Sequence, residues 1–114
     1  MFAQPTSQRV FQLWEYRVSH GSLLIRSPKS PSERLNIDIA CVGVEYMAVP
    51  RCFQGVQICE ATDQECAHLE GLLQRSLDRR LIHILASGEA RFPIVASSLR
   101  ISEHDHDIFH SPFD

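Results

Sequence analysis

The stretch that decides the fold runs from Asn36 to Val49 and reads Asn-Ile-Asp-Ile-Ala-Cys-Val-Gly-Val-Glu-Tyr-Met-Ala-Val. Apolar residues occupy both parities of this stretch, with Ile37 and Ile39 on one and Val42 on the other. Successive side chains of a strand point to opposite faces of the sheet, so the pattern predicts a strand covered on both faces. We therefore place this strand centrally in a sheet, and we expect it to end at Pro50, which lacks a backbone N–H.

Further strand-like segments lie on either side of this central strand. Val10–Ser19 and Leu23–Arg26 predict an antiparallel hairpin that turns at Gly21, a residue that adopts positive φ without steric cost. Phe53–Glu60 alternates apolar and polar residues and predicts a fourth strand. Two runs separated by a Ser-Gly-Glu-Ala turn predict a second hairpin, at 81–86 and 91–102.

One amphipathic helix is predicted to begin after Thr62. Thr62-Asp-Gln-Glu65 is a capping box, in which the Thr62 side chain accepts from the amide of Glu65 and the Glu65 carboxylate accepts in return. Apolar residues then recur at helical spacing, at Cys66, Leu69, Leu72, Leu73 and Leu77. The helix is expected over about 63–78.

The resulting order is β-β-β-β-α-β-β, an α+β fold with a mostly antiparallel sheet and the helix packed on one face.

Length and composition indicate a single domain. The chain has 114 residues, of which 44% are hydrophobic and 22% charged, as is typical of one globular core. We expect the domain to span 10–102, preceded by an N-terminal segment, 1–9. Residues 103–114 are expected to form a C-terminal tail that is either disordered or pinned by Phe109 and Phe113.

The charge of the chain disfavours several classes of partner. A net charge of -3 and a pI near 6.0 give no general attraction to polyanions, so neither nucleic acid nor a membrane surface is an expected partner.

The N-terminus lacks the basic and apolar pattern of a secretory signal, and a cytoplasmic location is expected. The cysteines lack C-x-x-C spacing and are expected to be reduced thiols, at Cys41, Cys52, Cys59 and Cys66.

Asp38 is the first candidate functional residue. It lies between Ile37 and Ile39 in the predicted central strand, where an unpaired carboxylate is costly to bury. Two interpretations follow. Either Arg26 or Arg91 forms a structural salt bridge with Asp38, or Asp38 lies at the end of the sheet and faces a pocket as a functional carboxyl group.

The tail is rich in potential metal ligands, namely Glu103, His104, Asp105, His106, Asp107 and His110. In an extended chain, His104 and His106 point the same way and could hold a divalent metal ion. Metal sites draw their ligands from rigid positions that are supported by neighbouring groups, so we expect a solvated tail instead. No metal or other cofactor is predicted.

Function is inferred by elimination, because no catalytic motif or glycine-rich phosphate loop occurs. One helix covers only part of one sheet face, so apolar sheet surface should remain open. Trp14 and Tyr16, predicted on the same side of the first strand, and Tyr46 are suitable anchors for an interface on such a surface.

We therefore expect a small intracellular protein-interaction module that self-associates as a homodimer or binds a protein partner, as inhibitors and immunity proteins do. The expected binding residues are Trp14, Tyr16, Arg26, Asp38 and Tyr46. The alternative is a small enzyme or ligand-binding protein that uses Asp38 with a neighbouring His or Tyr.

Overall fold

The computed structural model describes residues 8–114. The predicted N-terminal segment therefore lies outside the described residues, apart from Gln8 and Arg9. Helix α1 (Asp63–Leu73) lies between the sixth and seventh strands. The strands of the described part are β1 (Val10–Arg17), β2 (Ser22–Ser27), β3 (Asn36–Val42), β4 (Tyr46–Met47), β5 (Cys52–Gln54), β6 (Gln57–Cys59), β7 (Ile82–Ser87), β8 (Ala90–Val95) and β9 (Ser98–His104).

The α+β class and the antiparallel pairing are confirmed, but the strands form two sheets. The large sheet has the order β5-β1-β2-β3-β9, and the small sheet has the order β4-β8-β7-β6. Every strand pair is antiparallel. β3 is covered on both faces, as predicted, because each of its residues from Asn36 to Cys41 is buried.

Each of the three longest predicted strand segments after Arg26 is divided in the structure. Residues 36–49 form β3 and β4, residues 53–60 contribute to β5 and β6, and residues 91–102 contribute to β8 and β9. At each division the chain leaves one sheet and enters the other. The prediction of continuous strands was therefore wrong, because it missed the corners that allow two sheets to face each other.

Gly43 forms one of these corners, between β3 and β4. It has a φ of 68°, and a Cβ placed there would lie 2.5 Å from Oγ of Ser97. Ser97 belongs to the corner between β8 and β9, and its backbone N–H donates to the carbonyl of Val42 at 3.0 Å. The two corners thus pack directly on each other, which only a residue without a side chain permits.

The main core lies between the two sheets. One face of the large sheet contributes Phe11, Leu23, Ile25, Ile37, Ile39 and Cys41, and the small sheet contributes Leu85 and Ile94. The rings of Phe11 and Phe53 stack with their centroids 5.8 Å apart. Within residues 8–114, the second sheet therefore covers the apolar sheet face that we expected to remain open.

Helix α1 packs on the far face of the small sheet. Its capping box is confirmed, since the amide of Glu65 donates to Oγ1 of Thr62 at 3.1 Å and the amide of Thr62 donates to Oε1 of Glu65 at 2.9 Å. Leu69 is buried against Ile82, Ile84 and Val95. The helix ends at Leu73, earlier than predicted, because Gln74 adopts a φ of 55°. No helix in residues 8–114 is long and apolar enough to cross a membrane.

We expect Gly43→Ala to lower the free energy of unfolding by about 2 kcal/mol, since alanine is strained at positive φ and its Cβ meets Ser97. The matched control is Gly71→Ala in helix α1, where a Cβ meets no atom within 4 Å. That change should stabilise the protein by about 0.5–1 kcal/mol. Urea denaturation of both variants measures the two effects. Equal stability of the Gly43 variant and the parent would contradict the corner packing.

Candidate functional site

The candidate site is built around an ion pair on the outer face of the large sheet, the face turned away from the small sheet. Arg26 of β2 lies directly opposite Asp38 of β3 in the ladder. Nε of Arg26 donates to Oδ1 of Asp38 at 2.6 Å, and Nη2 donates to Oδ2 at 2.9 Å. The two side chains are 0% and 1% exposed. The predicted salt bridge with Arg26 is therefore confirmed, whereas Arg91 pairs with Glu65.

His104 completes this pair from β9. Its Nε2 lies 2.7 Å from Oδ2 of Asp38. β9 is antiparallel to β3, with Ser102 opposite Asp38 and His104 opposite Asn36, so His104 reaches Asp38 diagonally across the ladder. We expected a His or a Tyr beside Asp38 without identifying which residue it is. The pairing of β3 with β9 would have identified it, and no local pattern gives that pairing.

Asp38 and Asn36 together define which nitrogen of a neutral His104 ring carries the proton. Oδ1 of Asn36 accepts from the backbone N–H of Lys29 at 2.8 Å, which leaves Nδ2 as the donor side of the amide. Nδ2 donates to the carbonyl of His106 at 2.8 Å and faces Nδ1 of His104 at 3.4 Å. The proton of the neutral ring therefore lies on Nε2, toward Asp38. Nδ1 keeps its lone pair, and its contact with Asn36 is long for a hydrogen bond.

The C-terminal tail folds back over this face of the large sheet. Nη1 of Arg26 donates to the carbonyl of Ile108 at 2.6 Å, and Nζ of Lys29 donates to the carbonyl of Asp105 at 2.6 Å. The structure thus gives the tail a fixed course instead of the solvated one expected. Phe109 is 80% exposed and does not pin the tail. The contacts are made mainly to backbone carbonyls.

The end of the tail is held by Arg17 and Glu15 of β1. Oγ of Ser111 donates to Oε1 of Glu15 at 2.8 Å, and Nη2 of Arg17 donates to the Asp114 carboxylate at 2.5 Å. Hydrogen bonds to Asp114 and then Glu15 raise the pKa of Arg17. The guanidinium also lies 5.8 Å from the centroid of the Phe113 ring. The large sheet therefore holds the tail both at its start, near Asp105 and Ile108, and at its C-terminal end.

Trp14 and Tyr16 lie on opposite faces of the large sheet, so the prediction that they share a face was wrong. The register of β1 against β2 shifts between Leu13 and Glu15. After this bulge, Tyr16 pairs with Leu23 of the core face. Trp14 stays on the outer face, with the guanidinium carbon of Arg26 5.7 Å from its ring centroid. A bulge reverses the alternation that the sequence argument assumed.

Three histidines of β9 and the tail cluster beside Asp38. Their ring centroids are 5.0 Å apart for His104 and His106, 6.0 Å for His104 and His110, and 4.3 Å for His106 and His110. Asp107 shapes the turn that brings His110 back, since its carbonyl accepts from the amide of His110 at 2.9 Å. As the side chains stand, no group of three His, Cys, Asp or Glu residues in the described part could hold a metal ion.

Tyr46 lies away from the other predicted site residues, in a groove of about 460 Å³ between α1 and the edge of the small sheet. Arg91 lines this groove and donates to both carboxylate oxygens of Glu65, at 2.9 and 3.0 Å. These hydrogen bonds, with that of the Thr62 amide, lower the pKa of Glu65 to about 2. The charged groups of the groove are thus paired with each other. The complete lining is Tyr46, Ala48, Gln64, Glu65, His68, Leu69, Arg91 and Pro93.

The four cysteines are free thiols. Cys41 lies in the main core, and burial raises its pKa to about 12, so it remains protonated. Cys66 is half-buried, with Nε of Arg79 3.2 Å from its Sγ. Among the described residues, Cys66 lacks a neighbouring base of the kind that a catalytic thiol needs.

Comparison of the chain with protein-family models, with curated proteins and with solved structures found no match.

We expect Asp38→Asn to lower the free energy of unfolding by about 3–5 kcal/mol, because it leaves the buried Arg26 guanidinium without a counter-ion. Replacing both partners, as Arg26→Met with Asp38→Leu, should restore roughly half of this loss or more. Urea unfolding followed by Trp14 fluorescence reports on both variants. A cost for Asp38→Asn below about 1 kcal/mol would contradict a structural ion pair.

The depressed pKa of Glu65 predicts a stability contribution that is complete above about pH 4.5 and disappears as the pH falls through about 2. Glu65→Gln keeps a capping acceptor but removes the charge that pairs with Arg91. At pH 7 the variant should be less stable than the parent by about 0.5–1 kcal/mol, and this difference should vanish near pH 2. Glu89→Gln, at an exposed turn residue, is the control and should leave the pH dependence unchanged.

Proposed function

We propose that this protein is an interaction module that forms a homodimer through the outer edge of β9. One observation carries the proposal. β9 pairs with β3 at every residue from Ser98 to His104 without a register shift, and no strand of the described residues pairs with its other side. A regular edge strand of this length presents a row of backbone donors and acceptors to another chain.

The other three sheet edges of the described residues do not offer a comparable template. The large sheet ends on its other side at the three-residue strand β5, which covers β1 from Val10 to Gln12. The rest of β1 follows the register shift after Leu13, and a bulge of this kind disfavours pairing with another strand. The small sheet ends at β4, with two residues, and at β6, with three. Very short edge strands are a common protection against unwanted pairing. The length of β9 is therefore the exception among the edges of this fold, and it supports a pairing role.

A second copy of the chain is the occupant that suits this edge. Two-fold antiparallel pairing keeps equivalent faces together, so residues of the same parity lie opposite each other. With Ile101 at the axis, Ile101 lies opposite its own copy, and Arg100 lies opposite Ser102 of the second copy. This register places no like charges face to face, which supports self-pairing. Leu99 and Ile101 are half-buried in the single chain and would gain cover in the pair.

The proposal keeps the interaction hypothesis from the sequence but moves it to a different surface. Trp14, Arg26 and Asp38 contribute to the face that the tail covers, so they are not proposed as contact residues. The exposure of Asp38, at 1%, disfavours the alternative of an enzyme that uses this carboxyl group on a substrate. Self-association through β9 needs neither an open sheet face nor a catalytic group.

The test measures the oligomeric state of the full chain by sedimentation equilibrium. The parent is expected to be a dimer at micromolar concentration. Ser102 lies on the exposed side of β9. In the two-fold pair, Ser102→Lys places the lysine of each copy opposite Arg100 of the other copy. This repulsion between like charges should raise the dimer dissociation constant about tenfold or more. Adding Arg100→Glu to Ser102→Lys creates opposite charges at these positions and should restore the dimer.

Gln57→Lys on the short edge strand β6 is the matched control and should not change the dissociation constant. Circular dichroism confirms that each variant is folded. A parent that is strictly monomeric at about 100 μM, well above the micromolar range in which a specific dimer is expected, would overturn the proposal. Equal dissociation constants for the parent and Ser102→Lys would overturn the β9 interface.

A further inference from the structure

We infer that the first half of the C-terminal tail, residues 105–110, is a pH-controlled strap over the outer face of the large sheet. Uptake of protons by His104, His106 and His110 opens this strap, and loss of the protons closes it. The strap and its contacts belong to one chain, so the response does not depend on the β9 dimer.

A cluster of three histidines lies where the strap leaves β9. The ring centroids are 4.3 Å apart for His106 and His110, 5.0 Å for His104 and His106, and 6.0 Å for His104 and His110. Histidine is the side chain that changes its charge between about pH 8 and 5. Over this range the cluster therefore gains up to three positive charges that are close neighbours.

The hydrogen bonds of Asn36 suit only a neutral His104. Asn36 is fully buried, and its orientation is fixed because Oδ1 accepts from the Lys29 amide and Nδ2 donates to the His106 carbonyl. Nδ2 also faces Nδ1 of His104 at 3.4 Å, which suits an unprotonated nitrogen. A proton on Nδ1 puts two donors face to face. Rotation of the amide does not relieve this conflict, because it breaks both other hydrogen bonds of Asn36, including the one that holds the strap.

Asp38 opposes this effect only in part. Its Oδ2 lies 2.7 Å from Nε2 of His104, and a carboxylate favours the charged form of a neighbouring imidazole. The same carboxylate already accepts two hydrogen bonds from Arg26, which neutralises its charge. His104 donates from Nε2 whether it is neutral or charged, so a proton on Nδ1 adds no hydrogen bond to Asp38.

The charge around the cluster changes sign as the rings take up protons. The elements packed against the rings contribute two cations and three carboxylates, namely Arg26 of β2, Lys29 of the loop after β2, Asp38 of β3, and Asp105 and Asp107 of the strap. These groups carry one net negative charge, and three charged rings change it to two net positive charges. Glu103 lies on the other face of β9, opposite Ile37 of the core. Movement of the strap into water relieves the repulsion.

The contacts of the strap suit reversible opening. Its backbone is held through the carbonyls of Asp105, His106 and Ile108. Its two apolar side chains contribute little burial, since Phe109 is 80% exposed and Ile108 is only half-buried. Segments with few buried apolar contacts open most readily. Opening frees Nη1 of Arg26 and uncovers the outer face above the ion pair.

The test follows the isotopically labelled full chain by NMR from about pH 7.5 to about pH 5. The heteronuclear NOE of residues 105–110 should indicate ordered backbone at the start and a flexible segment at the end, with a midpoint between about pH 7 and 5. The strands should stay ordered throughout, and a return to the starting pH should restore the strap. The midpoint should be the same at two different protein concentrations.

His104→Gln keeps a side-chain donor for Asp38 but takes up no proton, so its strap should stay ordered down to about pH 5.5. The double variant with His106→Gln and His110→Gln changes two exposed residues and should move the midpoint lower by about half a pH unit or more. His68→Gln, at an exposed position of α1, is the matched control and should respond as the parent does.

A strap that stays ordered in the parent down to about pH 5 overturns the inference. A midpoint that depends on protein concentration also overturns it, because the response then belongs to self-association. Equal midpoints for the parent, His104→Gln and the double variant, or loss of the response in His68→Gln, would equally exclude the histidine cluster as its cause.

Discussion

The buried ion pair between Arg26 and Asp38 constrains everything on the outer face of the large sheet. A guanidinium removed from water must find acceptors for its N–H groups, and the Asp38 carboxylate supplies two of them. A third is the carbonyl of Ile108, in a segment far along the chain. The returning tail supplies this acceptor, and His104 of β9 contacts Oδ2 of Asp38. The buried arginine thus helps to order the tail, together with Lys29 and Asn36.

The secondary structure was predictable where a local signal exists. The capping box at Thr62 and Glu65 and the positive φ of Gly21 depend on a few adjacent residues, and both are confirmed. The corners between the sheets were missed for a physical reason. Val44 and Met47 pack against the same core as β3, so the apolar residues resume directly after the corner at Gly43 and only Glu45 lies between them. Periodicity detects burial, but it does not detect which sheet provides the cover.

The candidate site was predictable only in part. The need of a buried carboxylate for a cation gave Arg26 and Arg91 as the two possible partners of Asp38, and the structure has Arg26 in that place. His104 could not be identified, since it depends on the pairing of β3 with β9, which are distant in sequence. The tail was predicted as solvated because it lacks apolar periodicity. The tail is attached mainly through backbone carbonyls. Every residue has a backbone carbonyl, so the sequence does not indicate which ones accept these hydrogen bonds.

β9 connects the proposed dimer contact with the network on the outer face of the large sheet. Its outer edge is the proposed dimer contact, and its last residue, His104, contacts Asp38. An edge strand is a good template only if it stays flat, and ends of edge strands fray because half of their backbone groups are unpaired. In this protein, the contacts of His104 with Asp38 and of Asn36 with the tail hold the end of β9 against β3. The network on the outer face thus extends the regular pairing of β9 with β3 to the last residue of the strand, and a long regular edge is the property that pairing with a second copy requires.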